Sequence, residues 1–195
     1  MEFQEFPKMP RLSREVIITE KIDGTNAQIF IQEFDSDYMA EGRVVFEKGD
    51  LALYAGSRTR WITPEDDNAG FARWCKEHGE ELLTLGPGRH FGEWWGQGIQ
   101  RGYGLKEKRF SLFNVARWGG INAIDRPECC FVVPVLASGI FTTDLVDNAI
   151  TMLKTHGSYA AEGFMRPEGI VLFHTAGNLG FKKTLEKDEI PKSLQ

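Results

Sequence analysis

The segment Thr19-Glu20-Lys21-Ile22-Asp23-Gly24-Thr25-Asn26 sets a lysine two residues before an Asp-Gly pair, at the end of a β-branched run. A lysine amine held that way is suited to covalent work: it can attack an electrophilic phosphorus and carry it as a phosphoramidate. A lysine in a strand is most often a solvent-facing residue. To act as a nucleophile near neutral pH it must lose its proton through burial or a neighbouring cation. Lys182 and Lys183 are candidate cations if the last strand pairs near the first.

Four further strings carry groups with chemistry. In His90-Phe91-Gly92-Glu93-Trp94-Trp95-Gly96 a carboxylate sits between aromatics, suited to a ribose hydroxyl, or simply an edge glutamate beside core tryptophans. Arg109-Phe110-Ser111-Leu112-Phe113-Asn114-Val115 offers an aromatic that could stack on a purine, or a core strand. Arg166-Pro167-Glu168-Gly169-Ile170-Val171 puts a carboxylate at a strand start. Phe181-Lys182-Lys183-Thr184 brings two lysines able to neutralise phosphate, or a charged strand end. Gly96, Gly98, Gly102 and Gly104 match neither GxGxxG nor a P-loop and read as a flexible loop.

These strings must be positioned by strands. Val16 to Lys21 and Ala27 to Gln32 read as strands around the turn-like Asp23-Gly24-Thr25-Asn26. Val44 to Phe46 and Leu51 to Ala55 form another pair around Lys48-Gly49-Asp50. A helix is predicted over 69–83, with Phe71, Trp74, Cys75, Leu82 and Leu83 as core positions. Further strands are predicted over 89–95, 110–116 and 131–136. A second helix runs from Thr143, its N-cap, to His156, with Gly157 as a stop and Leu145, Ala149 and Leu153 on one face. Gly169 to His174 and Leu179 to Leu185 make a hairpin around Ala176-Gly177-Asn178. The expectation is an α+β fold with largely antiparallel sheets.

Composition narrows the function classes. With 195 residues and 42% apolar content the chain can bury one substantial core, so a single domain is expected over 1–195. No run of ~18 apolar residues exists, so no membrane span is expected. The charged, proline-marked start is unlike a signal peptide, and three cysteines without a CxxC pair argue against a disulfide framework or zinc site. A reducing, cytoplasmic setting is expected. A net charge of −5 argues against a protein that coats nucleic acid non-specifically. A local basic track remains open: Arg101, Lys106, Lys108, Arg109 and Arg117 are interleaved with Tyr103, Phe110 and Trp118, and Arg58 and Arg60 lie together.

Taken in order, these strings resemble the covalent nucleotidyltransferases, the superfamily of polynucleotide ligases and RNA capping enzymes. EKIDGTN resembles motif I, FGEWWG motif III, RFSLFNV motif IIIa, PEGIV motif IV and FKKT motif V, over residues 16 to 186. Ser57-Arg58-Thr59-Arg60 is similar to the arginine-bearing motif after the first hairpin. The Glu before the lysine and the GTN after it are most similar to the RNA ligases of the second T-even phage type and the trypanosome editing ligases. Two positions depart from the pattern: Thr184 stands where motif V usually has its second lysine, and Asn114 where motif IIIa is commonly acidic.

The resemblance implies a nucleotidyltransferase fold with helices flanking the sheets and no C-terminal OB domain. It implies an ATP-dependent RNA ligase in which Lys21 carries AMP and passes it to a 5′-phosphate, to be displaced by a 3′-hydroxyl. It would place Glu20 at the adenine edge, Phe113 on the adenine face, Glu93 on the ribose, and Asn26 and Arg58 near the phosphates or the RNA end. Lys182, with Lys183, would hold the α-phosphate, while Glu168 and Asp23 would position Mg²⁺ or Mn²⁺. Its partners would be RNA ends, nicked or single-stranded, in RNA repair, with no obligate protein partner. A minimal DNA ligase, a GTP-dependent capping guanylyltransferase, or a non-catalytic RNA- or nucleotide-binding module are the rival readings.

Overall fold

β-Branched and aromatic residues recur in most of the strands, and the computed structural model describes residues 2–33, 43–186 and 188. The first strands are β1 (Glu15–Lys21), β2 (Thr25–Glu33), β3 (Phe46–Lys48), β4 (Leu51–Ser57) and β5 (Trp61–Ile62). Two short helices follow, α1 (Phe71–Glu77) and α2 (Gly79–Leu82), then β6 (Gly88–Gly96), β7 (Lys108–Leu112), α3 (Val115–Trp118) and β8 (Cys130–Val132). Then come β9 (Val135–Ile140), α4 (Thr143–His156), β10 (Gly169–His174) and β11 (Leu179–Thr184). The contacts divide the chain into two compact units, Met1–Lys21 with Pro134–Gln195, and Ile22–Val133.

The first unit is a four-stranded antiparallel sheet in the order β11-β10-β1-β9. Val16, Ile18, Ile170 and Leu172 from the sheet pack with Ala149, Ile150 and Leu153 of α4. Strand side chains alternate between faces. Ile18 and Glu20 therefore share the face of Ile170 and Leu172, while Thr19 and Lys21 take the other. The N-cap of α4 is Thr142 rather than Thr143: its hydroxyl accepts from the Leu145 amide at 3.1 Å, a cap worth about 1 kcal/mol.

The second unit is a seven-stranded sheet, β3-β4-β2-β6-β7-β8 with β5 on β4; all pairs are antiparallel except β7 with β8. Its core joins Ile29, Ile31, Leu53, Trp94, Phe110 and Leu112 to Phe71, Cys75 and Leu82.

Four predicted elements change. The strand expected over 44–46 lies instead at Phe46–Lys48, paired with residues 51–53, so the turn is Gly49-Asp50. The helix over 69–83 is two, because Gly79 packs its backbone on Phe46: a Cβ there would meet the ring within 2.0 Å, and glycine is a poor helix former. The strand over 110–116 stops at Leu112, because the Asn114 side chain caps α3 by accepting from the Arg117 amide at 3.0 Å. The strand over 131–136 is divided between the two sheets. Val133 still donates to Leu112, but Pro134 has no N–H to continue that ladder, and its carbonyl accepts from Glu20 at 2.9 Å.

Candidate active site

Lys21 is the last residue of β1, half-buried, and its Nζ lies 2.5 Å from Oε2 of Glu168. Glu168 immediately precedes β10, so the antiparallel pairing of β1 with β10 delivers the carboxylate to the amine. Register also separates the two lysines of β11. Lys182 pairs with Val171, which pairs with Thr19, whereas Lys183 pairs with Ile170, which pairs with Glu20. By alternation Lys182 shares the face of Lys21 and Lys183 shares the face that packs on α4. Two strand spacings and two residues put the Cα atoms of Lys21 and Lys182 about 12 Å apart, within joint reach of one ligand. Lys183 instead lies 3.7 Å from Asp188.

Glu20 is only 1% exposed. One carboxylate oxygen accepts from the Ser158 hydroxyl at 2.6 Å; the other accepts from the amides of Tyr159 and Ala160 at 2.8 and 3.0 Å. Burial pushes this carboxyl above its ordinary value, against the opposing pull of the hydrogen bonds from Ser158, Ala160 and Tyr159. Ser158 had no signal in the sequence beyond its place after the helix stop at Gly157.

Gly169 follows Glu168 at the closest approach of two backbones. A Cβ there would lie 2.1 Å from the Lys183 carbonyl oxygen and 2.7 Å from the Thr184 Cα. Gly169→Ala is expected to push β11 away from β10, displacing Lys182, and to lower stability by about 2 kcal/mol or more. Urea unfolding measures it, and a midpoint within error of the parent would contradict the clash.

In the second unit Glu93, on β6, is buried opposite Asn26 on β2. It accepts from the Gly24 amide at 3.1 Å and from Asn26 Nδ2 at 3.0 Å, tying the Asp-Gly turn to the sheet. Gly24 is needed for close approach: a Cβ would lie 2.5 Å from the Trp94 carbonyl oxygen. Asp23 is held by two residues not assigned to it from sequence: Arg101 Nε donates to its carboxylate at 2.9 Å, and its amide donates to the Tyr103 hydroxyl at 2.8 Å. Both come from the loop after β6, where Tyr103 adopts a positive φ of 52°. Phe113, 42% exposed, lies two residues on from Ser111, the cross-strand partner of Glu93. Arg58 is exposed in the β4–β5 turn.

The basic track is largely taken up internally. Lys108 donates to the Ala69 carbonyl, Arg117 to the Leu85 carbonyl, and Arg109 pairs with Glu107 and lies over the Phe131 ring. Arg60 pairs with Asp66. Lys106 is exposed.

Glu168 and Asp23 offer carboxylate oxygens, each set against a cation of the chain. The carboxylate of either residue, taken by itself, is a donor suited to a hard divalent ion such as Mg²⁺ or Mn²⁺. No described helix is long and apolar enough to cross a membrane.

An α+β chain of antiparallel sheets with few helices is the fold of solved RNA ligase structures. One Naegleria gruberi RNA ligase variant with ATP and manganese superposes with a TM-score of 0.59 at 19% identity, over 90% of this chain and 51% of the other. Another with ATP and manganese gives 0.55 at 18% identity, over 89% and 50%. A third, with AMP and manganese, gives 0.54 at 20% identity, over 88% and 49%. The chain thus spans about half the length of the solved structures it matches. No curated protein matches it. The model of the RNA ligase family matches residues 14–184, and the chain belongs to that family.

Proposed function

We propose that this chain is the nucleotidyl-transferring part of an ATP-dependent RNA ligase, with Lys21 as the nucleophile. The observation that carries this reading is the Lys21–Glu168 pair, on a sheet face that also bears Lys182, in a chain of the RNA ligase family. The amine, freed of a proton, attacks the α-phosphorus of ATP; an N–P bond forms, the P–O bond to pyrophosphate breaks, and AMP stays on Lys21. Glu168 Oε2, at 2.5 Å, is within reach to take that proton. Lys182 neutralises the α-phosphate as charge develops. Glu93 takes the ribose, Phe113 the adenine face, and Asn26 and Arg58 the phosphates or the RNA end; Glu20, which the resemblance puts at the adenine edge, has its carboxylate taken up by Ser158, Tyr159 and Ala160. Glu168 and Asp23 would hold a divalent ion, and such an ion neutralises phosphate charge and orients pyrophosphate for departure. The adenylate then passes to a 5′-phosphorylated RNA end, which a 3′-hydroxyl seals. RNA repair is the setting this reaction serves.

ATP and manganese are supported by the Naegleria ligase structures, which hold ATP or AMP with manganese. The test is incubation with α-labelled ATP or GTP and a divalent ion, followed by denaturation. Label retained from ATP supports the reading; no retained label overturns it, and label from GTP alone moves the activity to capping. A nicked RNA duplex, a nicked DNA duplex and a 5′-phosphorylated single strand then distinguish the substrates.

The faces of β11 give a separate expectation. Lys182→Ala is expected to slow label formation roughly a hundredfold, and Lys183→Ala by less than about threefold, because its side chain is on the α4 face. Single-turnover label rates compare the two; equal losses would remove the distinction.

A further inference from the structure

His78, Glu81 and Cys129 converge in the Ile22–Val133 unit. Their nitrogen, oxygen and sulfur donors all lie within 4.8 Å of one another. His78 sits at the break between α1 and α2, with its Nδ1 3.7 Å from Glu81 Oε2. The other Glu81 oxygen accepts from the Cys129 backbone amide at 2.7 Å. That bond fixes the carboxylate and leaves Oε2 turned toward the imidazole. The His78 ring is steadied by Trp74, at 5.1 Å between centroids. Cys129 is the accessible thiol of the three cysteines, since Cys75 and Cys130 are buried.

Imidazole, carboxylate and thiolate together form a borderline-soft donor set, which selects zinc-like ions over magnesium or manganese. Zinc bonds of about 2.0–2.3 Å separate tetrahedral ligands by roughly 3.3–3.8 Å. The existing spacing therefore closes with small side-chain rotations. The CxxC pattern does not reveal such a site, because Cys129 lies 48 residues on from Glu81 and farther still from His78.

We propose that His78, Glu81 and Cys129 bind one zinc ion, with the fourth position open to water, joining the α1–α2 corner to the segment entering β8. The bound ion closes a long loop of the chain and so stabilises the folded unit. The proposal is independent of nucleotide chemistry.

The test uses the 195-residue chain, freed of metal by chelator and titrated with Co²⁺ and then Zn²⁺. The expected result is one tightly bound Co²⁺ with thiolate-to-cobalt charge-transfer absorption, displaced by Zn²⁺, and a melting temperature raised by Zn²⁺. Cys129→Ser is expected to abolish that absorption, and the surface change His78→Gln to weaken Zn²⁺ binding roughly tenfold or more. Circular dichroism confirms that each variant is folded. Absence of the charge-transfer band in the parent, or its persistence in Cys129→Ser, overturns the proposal. Unchanged Zn²⁺ affinity in His78→Gln does the same.

Discussion

Lys21→Arg is expected to leave the fold intact and to abolish the covalent nucleotide adduct. The Lys21 ammonium lies 2.5 Å from Glu168, so removing its charge leaves a largely buried carboxylate uncompensated. Lys21→Ala therefore mixes two effects, loss of the proposed nucleophile and loss of the ion pair. Arginine keeps the positive charge for Glu168, but its guanidinium stays protonated and has no free amine lone pair to attack phosphorus. The label retained after denaturation should fall at least roughly a thousandfold, as when a nucleophile is deleted from an enzyme. A thermal melt close to the parent shows that the ion pair has survived. Wild-type labelling of Lys21→Arg would place the adduct on another residue and sink the proposed function.

Glu20→Ala is expected to be among the most destabilising single changes in the chain, although it stands next to the proposed nucleophile. Its carboxylate satisfies the Ser158 hydroxyl and the amides of Tyr159 and Ala160 from a position only 1% exposed. Truncation removes three charge-assisted hydrogen bonds, at about 1 kcal/mol or more each, or about 3 kcal/mol in all. For a chain of this size that is a fall in melting temperature of about 6–12 °C. A melt within about 2 °C of the parent would show that the carboxylate does not hold the turn. The family resemblance puts Glu20 at the adenine edge, yet its side chain is committed to residues 158–160. A loss of stability without ATP present separates that structural role from any nucleotide contact.

Legibility was uneven, for identifiable reasons. β1, β2 and α4 were readable because each buries a pattern of apolar residues within its own length, and the β10–β11 hairpin because Ala176-Gly177-Asn178 marks its turn, although β11 itself is almost wholly exposed. Boundaries moved where a side chain or a proline intervened: Thr142 and Asn114 as caps, Gly79 against Phe46, and Pro134 ending a ladder. The strings containing Lys21, Glu93, Phe113, Glu168 and Lys182 were visible as residue types in order. Arg101 was visible too, but only as part of a basic track, because nothing near it in sequence points to Asp23.

By itself, then, the sequence determined where alternation runs, where the chain turns, and which residue types capable of phosphoryl chemistry occur in which order. Those properties depend on interactions within a few residues of each other. Tertiary structure alone decided that Glu168 meets Lys21, that Arg101 and Tyr103 hold Asp23, and that Glu20 closes on Ser158. It also decided that Lys182 and not Lys183 shares the face of Lys21, since one step of register across β1, β10 and β11 would exchange them. His78, Glu81 and Cys129 likewise met only through packing. Contacts between residues tens of positions apart depend on how whole strands pair, and that is set by burial across the entire sheet.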